Sequence, residues 1–302
     1  MPRQPGIYVE ILLRAPLDDV WRLTQQPAEH QRWDLRFTQI DYLPRPDASE
    51  PQRFRYATRI GFGMAIRGTG ESVGERVASS GEATSSLRFA SDDPKSLIRT
   101  GSGYWRYVPM AEGVRFFTWY DYATRFGLLG RVADYSVFRP LMGWGTAWSF
   151  DRLRLWLERG QTPEASMAWA WVYALARCAV ALVWLWHGLV PKVIAHDATE
   201  RLMLQQTGLP VGLIVPIGVA EIVFGFVVLL AWRSRWPLAA TMAAMVLALL
   251  AVALRSPQFV TAAFNPVTLN GSVMVLCIVA WIAMRYAPAA RRCLRIQPKE
   301  TA

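Results

Sequence analysis

Val211–Trp232 reads VGLIVPIGVAEIVFGFVVLLAW, and its character decides how the whole chain is divided. Glu221 is the one charged residue in that stretch. About 20 such apolar residues in helical form cross a hydrocarbon core ~30 Å thick. Three more runs have the same character, at 168–190, 236–254 and 267–284. Their ends carry helix punctuation: Gly208-Leu209-Pro210 stops what precedes the run at 211, and Asn265-Pro266 supplies a cap and a first-turn proline before the fourth. The second part of the chain is therefore read as an all-α bundle of four transmembrane helices.

Outward from that bundle, the composition changes near Met167. Residues 1–166 hold 22 Lys and Arg against 19 Asp and Glu, whereas residues 167–302 hold 11 and 4. The net charge of +10 is thus concentrated around membrane segments. A nucleic-acid binder would gather its surplus on one face of a soluble fold, so no nucleic-acid partner is expected. The cysteines, Cys178, Cys277 and Cys293, match no metal or redox spacing and read as small core residues.

Lys and Arg near the helix ends set the expected orientation. Arg152, Arg154, Arg159, Arg233, Arg235, Arg285, Arg291, Arg292, Arg295 and Lys299 fall on one side, against Lys192, Arg201 and Arg255 on the other. Ten against three puts both termini in the cytoplasm of a multi-pass protein of the cell membrane. The start of the chain agrees, because Glu10 interrupts Ile7–Leu13 and no small-residue cleavage site follows.

Two ionisable residues lie deep in the runs, Arg177 and Glu221. A charge at that depth needs a partner or a water-filled cavity. Three readings stand: a structural ion pair between the two, a proton- or ligand-handling site at Glu221, or two residues that never meet. The small residues of Arg177-Ala181-Trp184-Gly188 and Gly218-Glu221-Gly225 would let two helices approach. Asp197-Ala-Thr-Glu200 resembles a capping box that opens a short helix. His187 and His196 lack a third ligand, and no metal is expected.

Trp186-His-Gly-Leu-Val-Pro-Lys192, Glu200-Arg-Leu-Met-Leu, Gly218-Val-Ala-Glu221 and Phe264-Asn-Pro266 together resemble the DoxX-like four-helix membrane proteins, over about 165–286. Candidate residues of a polar membrane site are Arg177, His187, Lys192, Glu200, Glu221 and Asn265. That family is named for subunits of a thiosulfate:quinone oxidoreductase, which implies a link to quinone or thiol chemistry and to redox partners. The chain has no Cys-x-x-Cys, haem-type histidine pair or nucleotide motif, so such a role would need a bound quinone or a partner protein.

The first part reads as a strand at 7–14, two short helices up to Trp33, then strands near 35–43, 52–60, 64–77, 84–91, 96–108 and 113–124. From Leu128 to Arg159 the pattern is helical, with a kink at Pro140. Val9-Glu-Ile, Ala15-Pro, Val20-Trp21, Trp33, the strand Phe116–Tyr122 and the long last helix resemble the SRPBCC or START-like superfamily, which includes polyketide cyclases. The resemblance implies an α+β helix-grip fold, a curved antiparallel sheet around a long C-terminal helix, enclosing an apolar cavity. Candidate cavity residues are Trp33, Tyr104, Arg106, Trp119, Asp121, Trp144 and Trp148. Alternation alone leaves open which face of the sheet each occupies. His30 reads as a surface histidine near the mouth.

The resulting division is a cytosolic domain at 1–162 and a membrane domain at 163–302. The leading reading is a bilayer-anchored protein that binds or presents a lipid- or quinone-like molecule. Its rivals are a cyclase-like or redox enzyme component, and an adaptor that assembles other membrane subunits. The soluble part shows no Ser-His-Asp set, carboxylate pair or nucleotide loop.

Overall fold

The structure, a computed structural model, describes residues 6–45, 47, 50–61 and 63–298. They divide into two compact units, one from Met1–Ser166 with Pro288–Ala302, the other from Met167–Ala287.

The first unit opens with β1 (Ile7–Leu13), followed by α1 (Leu17–Gln25) and α2 (Pro27–Trp33). Pro16 and the acidic pair Asp18 and Asp19 start α1, and Pro27 starts α2, as the N-terminal preferences of helices require. Six strands follow: β2 (Gln39–Tyr42), β3 (Arg53–Gly61), β4 (Met64–Val77), β5 (Ala83–Ala90), β6 (Ile98–Met110) and β7 (Gly113–Thr124). All neighbours pair antiparallel, in the order β1-β7-β6-β5-β4-β3-β2. Then come α3 (Gly127–Ala133), a π-helical turn at Asp134–Phe138, and α4 (Arg139–Arg159). Pro140 lies in the first turn of α4, where its missing N–H is tolerated, and the wider π turn sits just before it. This is the helix-grip order expected from the sequence.

The core lies between α4 and the sheet. Phe150 of α4 meets Phe116 of β7 with ring centroids 4.6 Å apart, and both are fully buried. Trp33 is also fully buried, and its indole donates to the Leu23 carbonyl at 2.8 Å.

The chain returns to this unit at its other end. Glu10 and Leu294 exchange two backbone hydrogen bonds of 2.9 Å, so the last segment adds to the edge of β1. The fully buried Asp151 carboxylate accepts from the Ala289 amide at 2.7 Å and lies 3.5 Å from Arg292 Nε. The sequence reading had assigned everything after 163 to the membrane part.

Three of the flanking arginines used for orientation, Arg292 among them, also serve this unit. Arg152 donates to the carbonyls of Trp33, Arg32 and Pro163 at 3.1, 2.9 and 2.9 Å. Arg154 pairs with Asp151 at 2.7 Å and with Glu158 at 2.9 Å. Without them, seven basic residues stand against three. Lys299, one of the seven, lies outside the described residues.

The second unit carries the four apolar spans, Pro163–Ile194, Val211–Leu230, Trp236–Arg255 and Pro266–Ala283. Its helices are α5 (Pro163–His187), a short α6 (Ala198–Gln206), α7 (Ile214–Leu230), α8 (Trp236–Arg255) and α9 (Pro266–Ala283). The first span is longer than the expected 168–190, because α5 continues through a π-helical segment at Gly188–Ile194 that contains Pro191. Asn265 caps α9 by accepting from the Thr268 amide. Tyr173, Val180, Val228, Leu238, Val273 and Cys277 form the centre of the bundle. Cys277 and Cys293 are buried, as expected of core residues, whereas Cys178 is exposed.

Candidate functional site

The first unit encloses a cavity of about 840 Å³ between the sheet, α2 and α4. Its wall is largely aromatic and aliphatic, with Phe37, Tyr56, Phe89, Trp105, Tyr120 and Trp144 contributing. Gly145 of α4 is buried, yet a Cβ built there would meet nothing within 4 Å. The backbone of α4 therefore borders unfilled space.

The sheet register decides which candidates face that space. On β7 the inward positions are Phe116, Thr118, Tyr120 and Tyr122, and on β6 they are Gly103, Trp105 and Tyr107, all but Gly103 buried. Tyr104, Arg106, Trp119 and Asp121 occupy the alternate positions, so a one-residue phase difference carries them to the other face. The Tyr104 ring stacks on Trp119 with centroids 6.1 Å apart, although Tyr104 also borders the cavity by its place in the strand. Arg106 reaches Glu82 at 2.7 Å, with 44% of its side chain exposed. Asp121 lies beyond the last β1 pair, Ile7 with Tyr120, and meets Arg139 at 3.1 Å. Of the α2 and α4 candidates, Trp144 lines the cavity, while Trp33 and Trp148 are core.

The polar end of the cavity comes from residues outside that candidate set. Asp34, directly after α2, is fully buried. It accepts from Arg36 Nε at 2.9 Å, Arg36 Nη2 at 2.6 Å and the Arg36 amide at 3.0 Å. His30 Nε2 lies 3.0 Å from the same carboxylate, with 12% of its side chain exposed, so it is a wall residue and not the surface histidine expected. Burial alone would raise the Asp34 carboxyl, but the Arg36 charge and the hydrogen bonds from His30 and Arg36 outweigh it and hold it well below the usual carboxylate range. Burial lowers the His30 imidazole against the pull of Asp34, which favours its neutral form. The Tyr120 hydroxyl sits 2.9 Å from Thr146 Oγ1, and Thr146 donates to the Met142 carbonyl, so Tyr120 donates to Thr146. The Asp34-Leu-Arg36 spacing after Trp33 was the sequence signal for this cluster.

In the second unit, Lys192 gathers the polar groups. Its Nζ lies 2.9 Å from Glu221 and 3.5 Å from Glu200, and donates to the His187 carbonyl at 3.4 Å. The π-helical segment brings Lys192 against α7, where a Cβ on Gly188 would fall 2.5 Å from the Gly218 carbonyl oxygen. Only glycine permits that approach. Glu200 thus turns to Lys192, and the capping of α6 rests on Asp197, which accepts from Thr199 and Glu200 amides at 2.9 and 3.2 Å.

Arg177 is not in this cluster, and the pair with Glu221 does not form. Its guanidinium donates to the carbonyls of Val228, Ala231 and Ser234 at 2.8, 2.6 and 2.9 Å, and to the Tyr173 hydroxyl at 2.9 Å. It therefore caps the C-terminal end of α7, where carbonyls lack intrahelical partners and the helix dipole favours a cation. Val228 is seven residues beyond Glu221, an axial offset of roughly 10 Å. Asn265 likewise stands apart, donating to the Ala262 carbonyl at 3.2 Å and serving as a cap.

Residues 181–278 match the model of the DoxX-like family. An uncharacterized membrane protein of Bacillus subtilis (strain 168), YndG, is 49% identical over 187 residues, which is 62% of this chain and 69% of that protein. Among solved structures, a STAR-related lipid transfer protein fragment from Xanthomonas axonopodis is 18% identical, covering 53% of this chain and 97% of that one at a TM-score of 0.38. The Zhui aromatase/cyclase from a Streptomyces species is 14% identical, covering 49% and 95% at a TM-score of 0.34. Likenesses at these scores add no weight to the fold, which stands on the sheet order. The YndG match is longer than either compact unit can hold, so it crosses from α4 into α5. On that relative and the matching family model, the chain belongs to the DoxX-like family of membrane proteins.

Proposed function

We propose that this membrane protein binds an apolar small molecule in the cavity of its first unit and keeps it beside the bilayer. The observation that carries this reading is the unfilled cavity of about 840 Å³, within the usual size range of small-molecule sites. An adaptor would be expected to fill that interior with its own side chains. A cyclase-like reading loses Arg106 and Asp121, which pair outside the cavity. Quinone-like molecules and lipids are both candidate ligands.

The test uses Gly145→Phe, which places a ring in the open space beside α4. Full-length protein in detergent is titrated with a neutral apolar dye. Saturable uptake by the wild type, lost in Gly145→Phe at unchanged thermal stability, supports the reading. Equal uptake by both would refute it.

The seven-to-three charge count and an even number of spans support both termini on the cytoplasmic side. Addition of the last segment to β1 accords with termini on one side. A reporter active only in the cytosol should give signal when fused at the C-terminus and none within the 197–206 segment.

A further inference from the structure

We infer that the cavity selects a neutral, flat apolar molecule bearing an acceptor oxygen such as a ketone carbonyl, and that Arg36 receives this oxygen. The inference rests on the binding function proposed above and specifies its ligand.

The geometry of Arg36 carries it. The hydrogen bonds from its guanidinium to Asp34 use Nε and Nη2. Because the group is planar, Nη1 lies on the side away from that carboxylate; with a further hydrogen bond to the Tyr120 hydroxyl, two of the five N–H donors stay uncommitted. Arg36 lines the cavity, with 13% of its side chain exposed. Tyr120, whose ring lies 5.4 Å from the guanidinium carbon, donates its O–H to Thr146 and accepts from Arg36, so it has no proton to offer a ligand oxygen. Arg36 is thus the donor that a ligand oxygen would meet.

The charge balance then selects among oxygens. Asp34 neutralises Arg36 from behind, and His30 favours its neutral form. Arg45 and Glu50, the other charged residues of the wall, are exposed. A carboxylate or phosphate would bring an uncompensated charge into a site already neutral, and its desolvation would not be repaid. A carbonyl accepts from a charged donor without that burden. The rings of Phe37, Tyr56, Phe89, Trp105 and Trp144 suit a flat body.

Three probes of one shape separate the possibilities: 1-acetylpyrene, 1-ethylpyrene and 1-pyrenecarboxylate. Each is equilibrated with full-length protein in one detergent, and uptake is counted as the excess over Gly145→Phe, which removes the share taken by micelle and bundle. The ketone should bind about tenfold more tightly than the hydrocarbon, the size expected of a hydrogen bond from a charged donor, and more tightly than the carboxylate. In Asp34→Asn/Arg36→Met the ketone should fall to the level of the hydrocarbon, whose retained uptake shows the cavity intact. If the double variant does not fold, Arg36→Lys replaces it, since an ammonium drawn to Asp34 has no planar second edge, and the preference should shrink. Equal binding of ketone and hydrocarbon by the wild type, a preference that survives the substitutions, or tightest binding of the carboxylate would overturn the inference. Absence of Gly145-sensitive uptake for all three probes would instead overturn the binding function itself.

Discussion

Arg36 and Arg177 are both arginines withdrawn from solvent, and the two units treat them differently. In the first unit Arg36 is held by one carboxylate, in a chelate that uses two nitrogens and the backbone amide. In the bundle Arg177 has no carboxylate within its hydrogen bonds, and is held by three backbone carbonyls and a tyrosine hydroxyl. A helix end offers concentrated negative potential without a titratable group, so it can hold a cation wherever a chain stops inside a packed bundle. A deeply placed arginine is therefore no guide to a complementary acidic side chain. The difference also separates roles: the chelated arginine lines a cavity with donors left over from Asp34 and Tyr120, and the capping arginine spends its donors on the fold.

The contrast yields a ranked series of measurements. Asp34→Leu leaves Arg36 buried with its partner removed, and should lower the unfolding free energy by about 3–5 kcal/mol, measured by chemical denaturation of the detergent-solubilised protein. Arg177→Leu orphans several acceptors but no charge, and should cost less, about 2–3 kcal/mol. A larger loss for Arg177→Leu would invert the comparison. A smaller effect is the coupling within the bundle: a double-mutant cycle of Lys192→Met and Glu221→Leu should give about 1–2 kcal/mol, whereas a cycle of Arg177→Leu and Glu221→Leu should give additive losses. Coupling in the second cycle would restore the ion pair that the hydrogen bonds deny.

The smallest effect is a pH dependence. Burial depresses the His30 imidazole in the folded protein, so as pH falls below about 6.5 the unfolded chain takes up a proton before the folded one does. Stability contributed by neutral His30 is complete above that pH and drains away below it. Asp34, also depressed, drains only below about pH 4. His30→Gln keeps a donor for Asp34 and should flatten the decline between pH 6.5 and 5 in thermal melts. An unchanged slope there would show that His30 is not the titrating group.

Much of the fold was legible because it depends on signals that survive at low resolution. Strand positions, the helix pair before them and four apolar spans follow from periodicity and punctuation. The face of β7 was not legible, because Phe116, Phe117, Trp119, Tyr120 and Tyr122 put aromatics on both phases of the strand and the period of two lost its contrast. The Lys192 cluster was legible as a set of residues but not as a geometry, since its approach to Glu221 depends on a π-helical segment. Arg177 misled because the acceptors that hold it are backbone groups, which every residue carries and no residue name reveals.

The bridge that Leu294 makes to Glu10 has a bearing on biogenesis. The residues that complete the first unit follow all four apolar helices in the chain, so they are synthesised after them. Until then Glu10 on the edge of β1 lacks its bridge and Asp151 lacks Ala289 and Arg292. Completion of the first unit is thereby deferred until the last apolar helix has been made, and a chain arrested in the third or fourth helix would leave the outer edge of β1 open to pairing with another chain.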